Sequence, residues 1–461
     1  MRYLFWACLL CLIPGLLIRI PFGGGGILLS DLLVPLFALL WLGQKLLIDR
    51  TLPRVRFVLP AAGFALVALL SWLLGAWDLL LKEQVLSFSY IVRFVGIVIL
   101  GWAVVDQLNF YPPEKGEQKG VLFKTQTSPE PNPSGEEKIL LNLFKIVGVV
   151  VLLGYFQFYL YPDISKFSTV GGFDPHIGRL LGTWMDPNFV GGLLAFFLPV
   201  MVGFWYQSSD VRRRWWLGAL ILLSLYALFL TFSRSAYLAG VGGLGLFFLL
   251  RDPKIILIGI LLAGLGLATS ERAQKRVGEL AGTMASVVLR DTDEVDATAK
   301  LRVQSWQRSL ELWQKYPVLG IGYNTYRFRG AEEGVVDEKY FSAGGSDSTL
   351  LTVLVTSGVV GLLFFLWFYI DLWVRNFVRW WRWQKSPPEK GDLGGLKLKN
   401  QNPSQPPLLR GGGKGELYLG FVAGWSAILV HSVFVNSLLF PLIFIPIMVV
   451  AGVLESRYRS I

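Results

Sequence analysis

The chain has 461 residues, of which 53% are hydrophobic and 16% charged, and a formal net charge of +11. Charged residues average about 25% in soluble domains, so this composition, with a mean hydropathy of +0.53, excludes an ordinary water-soluble globule. A nucleic-acid reading of the positive charge is excluded too, because the basic residues fall mainly in short segments between apolar runs. There they set topology and meet anionic lipid.

A helix needs about 20 mainly apolar residues to cross a bilayer. In chain order, candidate spans lie near 3–20, 27–48, 57–77, 85–107, 139–161, 188–206, 215–232, 235–250, 255–268, 349–374, 418–435 and 439–455. The first imitates a secretory signal, with Arg2 before an apolar core. Ile-Pro-Phe-Gly-Gly-Gly-Gly follows instead of a small-x-small cleavage site, so the segment reads as a retained span. It holds the two cysteines, Cys8 and Cys11, which have no zinc, haem or iron–sulfur framework around them and read as packing residues. The predicted fold is an all-α integral membrane protein of about 12 transmembrane helices with one large, partly helical outer loop.

Charge supports that count. With a cytoplasmic N-terminus, Lys45, Arg50, Arg54 and Arg56 lie inside, as do Arg212-Arg213-Arg214, Arg251 with Lys254, Arg375 with Arg379, and Arg457 with Arg459. This is the bias expected of short inner loops. It predicts both termini in the cytoplasm and the long polar segment 269–348 in the periplasm, with the inner membrane as location. The organisation is then nine spans over 1–268, the loop, and three spans over 349–461. Segments 111–138 and 386–416 are rich in Pro, Gly, Lys and Glu, and both contain Pro-Pro-Glu-Lys-Gly and Asn-Pro-Ser. Such composition cannot bury a core, so both read as disordered linkers.

Within the outer loop, 298–315 reads as an amphipathic helix with Leu301, Leu310 and Trp313 along an apolar stripe. Pro317 ends it, and Gly320 and Gly322 form a turn. The acidic run Asp291, Asp293, Glu294 and Asp296 lacks EF-hand spacing and reads as a solvated loop, so no metal is expected.

The chemistry-bearing candidates sit around this loop. Arg234 lies in Thr-Phe-Ser-Arg-Ser-Ala-Tyr, between the seventh and eighth spans. A guanidinium at that depth is costly unless paired, and its planar fork of donors matches phosphate oxygens; an interfacial anchor reaching for headgroups is the bland alternative. Arg302 is one turn before Trp306 on the loop helix, where a solvated charge is the ordinary reading. Arg179 and Asn188 flank Arg-Leu-Leu-Gly-Thr-Trp-Met-Asp-Pro-Asn, whose Asp186-Pro187-Asn188 is a helix start. Asp347 lies in Gly-Gly-Ser-Asp-Ser-Thr, where it or Ser348 could simply cap the tenth span. Arg93 inside the fourth span, and His431 and Asn436 at the outer end of the eleventh, either line an outer cavity or pair within the bundle.

Taken in order, these elements resemble the O-antigen ligase and polymerase family. Arg179–Asn188 resembles its R-x-x-G-T-F-x-x-P-N entry to a span, and Thr231–Ala236 its T-x-S-R segment. Arg302 with Trp306 and Tyr-Pro-Val-Leu-Gly-Ile-Gly (316–322) resembles its R-x-x-x-W … P-x-x-G-x-G stretch. Ser357–Leu362 resembles the T-G-x-x-G-L that opens its next span. The similarity covers about 170–375, with one departure: where family ligases carry a His-x-His-Asn-like element, this chain reads Gly345-Ser346-Asp347-Ser348.

The resemblance implies a metal-independent glycosyltransferase without a cofactor. It would take a polyprenyl-diphosphate-linked glycan donor and a glycan or lipid acceptor, in contact with membrane lipids. It assigns Arg234 and Arg302 to the departing diphosphate and Asp347 to the acceptor, as base or orienting group. Arg179, Asn188, Arg93, His431 and Trp306 are implied to line the pocket. The missing histidine favours a polymerase-type member. The alternatives are a ligase acting on lipid A core or protein, and a membrane transporter of inorganic carbon or lipid-linked glycan. No Walker-type nucleotide loop is present.

Overall fold

In hydrocarbon a backbone N–H or C=O has no water to bond, so spans of this hydropathy must satisfy themselves as helices. The computed structural model of the protein describes residues 1–22, 25–107, 135–165, 176–272, 274–275, 278, 297–334, 345–385 and 415–459. In chain order these give α1 (Arg2–Leu10), a hairpin of β1 (Arg19–Phe22) and β2 (Gly25–Leu28), α2 (Leu29–Gly43, prolonged by a π-helical turn to Asp49), α3 (Val58–Gly75), α4 (Leu81–Gln107) and α5 (Gly135–Leu160). Then follow α6 (Pro187–Gln207), α7 (Val211–Leu230), α8 (Arg234–Arg251), α9 (Lys254–Ala268), α10 (Ala297–Lys315), α11 (Tyr326–Glu332), α12 (Thr349–Lys385), α13 (Glu416–Phe434) and α14 (Pro441–Arg459). The protein is an all-α integral membrane protein.

Among the described residues nine helices are long and apolar enough to cross a membrane: α2 to α7, α12, α13 and α14. The other expected spans coincide with α1, α8 and α9, which are 9, 18 and 15 residues long. At about 1.5 Å per residue, α1 reaches roughly half the hydrocarbon thickness. The expectation of a full first span over 3–20 is corrected here: the helix stops at Leu10. Pro14 and Gly15, the latter at φ +57°, turn the chain. The carbonyls so released are taken up by a 3-10 turn at Gly182–Trp184. Thr183 Oγ1 donates to Ile13 O at 2.6 Å, Trp184 Nε1 donates to Leu12 O at 2.9 Å, and Leu16 N donates to Thr183 O at 3.0 Å.

Central α6, α13 and α14 bury most of their side chains, whereas α2, α3 and α7 turn leucines such as Leu39, Leu66 and Leu222 outward, as a lipid-facing wall does. Small residues let the central helices touch. A side-chain carbon added at Gly191 would meet Ala236 of α8, and one at Gly424 would meet the Phe196 carbonyl of α6. One end of the bundle carries ion pairs: Arg251–Glu416 at 2.7 Å, Arg213–Glu137 at 3.1 Å and Arg379–Glu455 at 2.5 Å. The opposite end carries the N-termini of α6, α8 and α12 and the helix α10.

The helix expected at 298–315 runs Ala297–Lys315. Of its expected apolar stripe, Trp313 packs against the cluster of Leu312, Ile321, Tyr326 and Val355, but Leu310 is exposed, while Ser309 and Leu312 are buried. The buried face thus follows Arg302, Trp306, Ser309 and Leu312, which share one side of a helix. The side chain of Leu301 and the acidic run at 291–296 lie outside the described residues, as do most of the two expected linkers. Residues 135–138, however, belong to α5, whose first-turn Glu136 and Glu137 suit the positive end of a helix.

Candidate functional site

The site grows from two adjacent helix starts. Asp186 caps α6, accepting from Asn188 N at 2.6 Å, with Pro187 at the first helical position, where its missing N–H costs nothing. Ser233 caps α8, accepting from Ala236 N at 3.4 Å. The two caps are tied together, since Ser233 Oγ donates to Asn188 Oδ1 at 2.7 Å. Arg234, half-buried, is the first residue of α8. It therefore stands where two helix dipoles present their positive ends and where backbone N–H groups favour an anion.

Arg179 positions this corner. Its Nε donates to Thr231 O at 2.8 Å and its Nη2 to Phe232 O at 3.3 Å. These carbonyls follow the last turn of α7, and Phe232 sits in the left-handed region at φ +47°. The guanidinium thereby holds the tight turn from which Arg234 departs. Burial pushes the Asp186 carboxyl above its usual range, while the Asn188 amide and the nearby Arg179 charge pull the other way. Asn188 and Arg179 thus frame the Arg234 turn.

The loop helix α10 reaches the same end. Leu312 packs with Ile321, Tyr326 and Val355, and Ser309 Oγ lies 2.8 Å from the Tyr326 hydroxyl. Trp306 lies against Phe434 at the end of α13, ring centroids 6.2 Å apart. Arg302, one turn earlier, acts electrostatically on His431 of α13. His431 is fully buried, and its ring is held against Gly192, one turn into α6 from Asn188. A Cβ at Gly192 would come within 3.1 Å of that ring. Arg302, Trp306 and His431 therefore join the corner formed by Asn188, Ser233 and Arg234.

The rim is closed by the turn between α13 and α14 and by the entry to α12. His431 Nδ1 lies 2.6 Å from Ser437 Oγ, and Thr349 Oγ1 donates to Val435 O at 3.3 Å. Asn436 is a near neighbour of Gly345. Ser348, not Asp347, accepts the helix-start bond, from Leu351 N at 3.5 Å. Asp347 is exposed, and its charge reaches Tyr326: burial raises the Tyr326 phenol, and Asp347 raises it further.

Arg93 is committed elsewhere. Its Nε and Nη2 donate to the two oxygens of Asp31, both at 2.6 Å, and its guanidinium lies 4.1 Å from the Tyr90 ring centre. It borders a small cavity with Tyr90, Phe94, Ile97, Tyr323, Leu439 and Phe444. Arg93 thus lines this cavity while its ion pair with Asp31 anchors the start of α2.

Two motifs prove to be one lock. α12 breaks at Gly358, φ +65°, a conformation that favours glycine. The freed amides of Val359 and Val360 donate to Pro317 O at 2.9 Å and Val318 O at 3.3 Å, and Ile321 N donates to Val355 O at 3.0 Å. Ser71 Oγ of α3 donates to Thr356 O at 2.6 Å. A broken helix at membrane depth survives only when such partners are supplied. The lock fixes α10 over the end of α13. Sequence reading missed Ser233, Ser437 and Gly192; only the cap spacing of Ser233 before Ala236 offered a signal.

Among the described residues no group of three or more His, Cys, Asp or Glu side chains could hold a metal ion. What this end offers is positive charge: Arg234 at the α8 N-terminus beside that of α6, and Arg302, whose charge reaches the buried His431. Such a set suits a multiply charged anion. Residues 218–366 match the family model described as O-antigen ligase. The match takes in Arg234, Arg302, Asp347 and both halves of the Gly358 lock, and leaves Arg93, Arg179, Asn188 and His431 outside it. No curated protein matches the chain.

Proposed function

The chain belongs, through residues 218–366, to the O-antigen ligase/polymerase family, and on that premise we propose that it extends a polysaccharide at the periplasmic face of the inner membrane. The donor is a glycan on a polyprenyl diphosphate; the acceptor is a sugar hydroxyl of a second lipid-linked glycan. The acceptor oxygen attacks the anomeric carbon, the bond from that carbon to the phosphate oxygen breaks, and the lipid diphosphate leaves with the electron pair.

The negative charge that grows on the departing diphosphate is the main barrier for the protein to lower. Arg234 and Arg302 meet it with planar donor forks, assisted by the α6 and α8 N-termini. Arg179 and Asn188 hold Arg234 in place. Trp306 offers an aromatic face to a sugar ring, and Asp347, exposed at the same rim, receives the acceptor. The glycosyl–phosphate bond of the donor already stores the driving force, so no nucleotide is required.

The observation that carries this reading is the convergence of Arg234 and the Arg302 helix on His431 and Asn188 at one end of the bundle. Asp347 in place of the family's histidine favours polymerisation over ligation. The test is the purified protein in vesicles with polyprenyl-diphosphate-linked repeat units, read as a chain-length ladder, beside the surface glycan of a deletion strain. Single repeat units on the deleted strain mark a polymerase. Accumulated long lipid-linked polymer marks a ligase, and an unchanged glycan with altered solute uptake marks a transporter.

A further inference from the structure

Beneath α10 lies a group of polar side chains with no protein partner for one atom each: His431 Nε2, Asn436 Oδ1, Ser346 Oγ and Trp306 Nε1. His431 is fully buried and Ser346 nearly so. The four are neighbours. Asn436 and His431 flank the same turn, Asn436 adjoins Gly345 beside Ser346, and Trp306 rests on Phe434. Isolated orphaned polar atoms are uncommon in folded proteins because each loses its water without return. Four around one turn mark a place where a polyhydroxylated ligand completes the hydrogen bonding.

The tautomer of His431 follows from its neighbour. Ser437 Oγ donates to Val435 O at 3.1 Å and lies 2.6 Å from His431 Nδ1. A hydroxyl has one proton, so both bonds hold together only if Nδ1–H is the donor to Ser437. Nε2 then carries the lone pair. A neutral imidazole fixed at one nitrogen and open at the other is the form in which histidine serves as a general base.

We propose that His431 Nε2 takes the proton of the attacking acceptor hydroxyl; this rests on the glycosyl-transfer reading above. The acceptor O–H proton passes to Nε2 as the new bond to the anomeric carbon forms, and the electron pair of the broken bond leaves on the diphosphate. Asn436, Ser346 and Trp306 bind neighbouring hydroxyls of the acceptor sugar.

The experiment uses the full-length protein in vesicles with lipid-linked repeat units, scoring initial extension rate against pH and retention of polyprenyl diphosphate. His431→Gln is expected to lower the rate about 100-fold or more, retain the lipid diphosphate within about twofold, and abolish the fall in rate on the acid side. Ser437→Ala lowers the rate about tenfold, and Ser437→Thr, which keeps the hydroxyl, restores it. A His431→Gln enzyme with the wild-type rate and pH profile overturns the proposal, as does an acid limb removed by Asp347→Asn instead. Should His431→Gln fail to fold, a Ser437→Ala enzyme with unchanged rate and profile overturns it equally. If the wild-type protein transfers no glycan, the parent reading fails and this one with it; if it transfers and His431→Gln transfers equally, only this one fails.

Discussion

Asp31 is the most exacting place to perturb this protein. Its carboxylate accepts from Arg93 twice, at 2.6 Å each, and from Leu28 N at 2.8 Å at the start of α2. The two side chains are 10% and 11% exposed. Asp31→Ala strips a buried guanidinium of its counter-ion and an N-terminal amide of its cap. Breaking a buried pair from one side costs about 3–5 kcal/mol, and losing a cap costs about 1 kcal/mol more. Replacing both partners, as in Asp31→Asn with Arg93→Met, leaves no uncompensated charge and should recover most of that loss. Thermal unfolding in detergent, followed by tryptophan fluorescence, compares the single and double variants. Extension assays on the same preparations ask a second question, because Arg93 as an anchor predicts a double variant that still extends glycan. An Asp31→Ala protein as stable as wild type would refute the energetic reasoning; a stable but inactive double variant would return Arg93 to the substrate pocket.

Arg234→Ala and Arg302→Ala should each lower extension by about 100-fold or more with membrane insertion and melting unchanged, and normal polymer from either removes it from the site. Asp347→Asn keeps the shape of the rim and removes its charge. A clear fall in the rate of chain growth is expected, and full activity would reduce Asp347 to a surface residue. Gly358→Ala forces a side chain into a left-handed conformation against the Val318 carbonyl, which should destabilise by about 1–3 kcal/mol. An unchanged melting temperature would mean that the α12 break does not depend on the lock.

Legibility followed the range of the interactions. The α10 boundaries were readable to within a residue, because periodicity and a terminating Pro317 are local signals. The Asp186 cap was readable for the same reason. The length of α1 was not: Pro14 hints at a break, but the partners that make it tolerable, Thr183 and Trp184, lie some 170 residues away. Arg93 and Arg179 looked alike as intramembrane or rim arginines. One binds a carboxylate from α2 and the other the carbonyls after α7, and nothing near either residue states which. The sequence placed Leu310 on the apolar stripe because hydrophobicity was the only guide; docking against Tyr326 and Val355 chose the face with Ser309 and Leu312 instead.

By itself the sequence determined the solvent: a composition this apolar, divided into helix-length runs with basic residues between them, has to live in a bilayer. It also carried the ordered motifs that mark the family, since those are strings of neighbouring residues. Only the tertiary structure decided which charges face each other and which nitrogen of His431 is left open. The His431 nitrogen is set by Ser437 just past the helix end, but the ion pairs join elements far apart in the chain, brought into contact by small residues at helix crossings and by a broken helix that takes its hydrogen bonds from the loop before it.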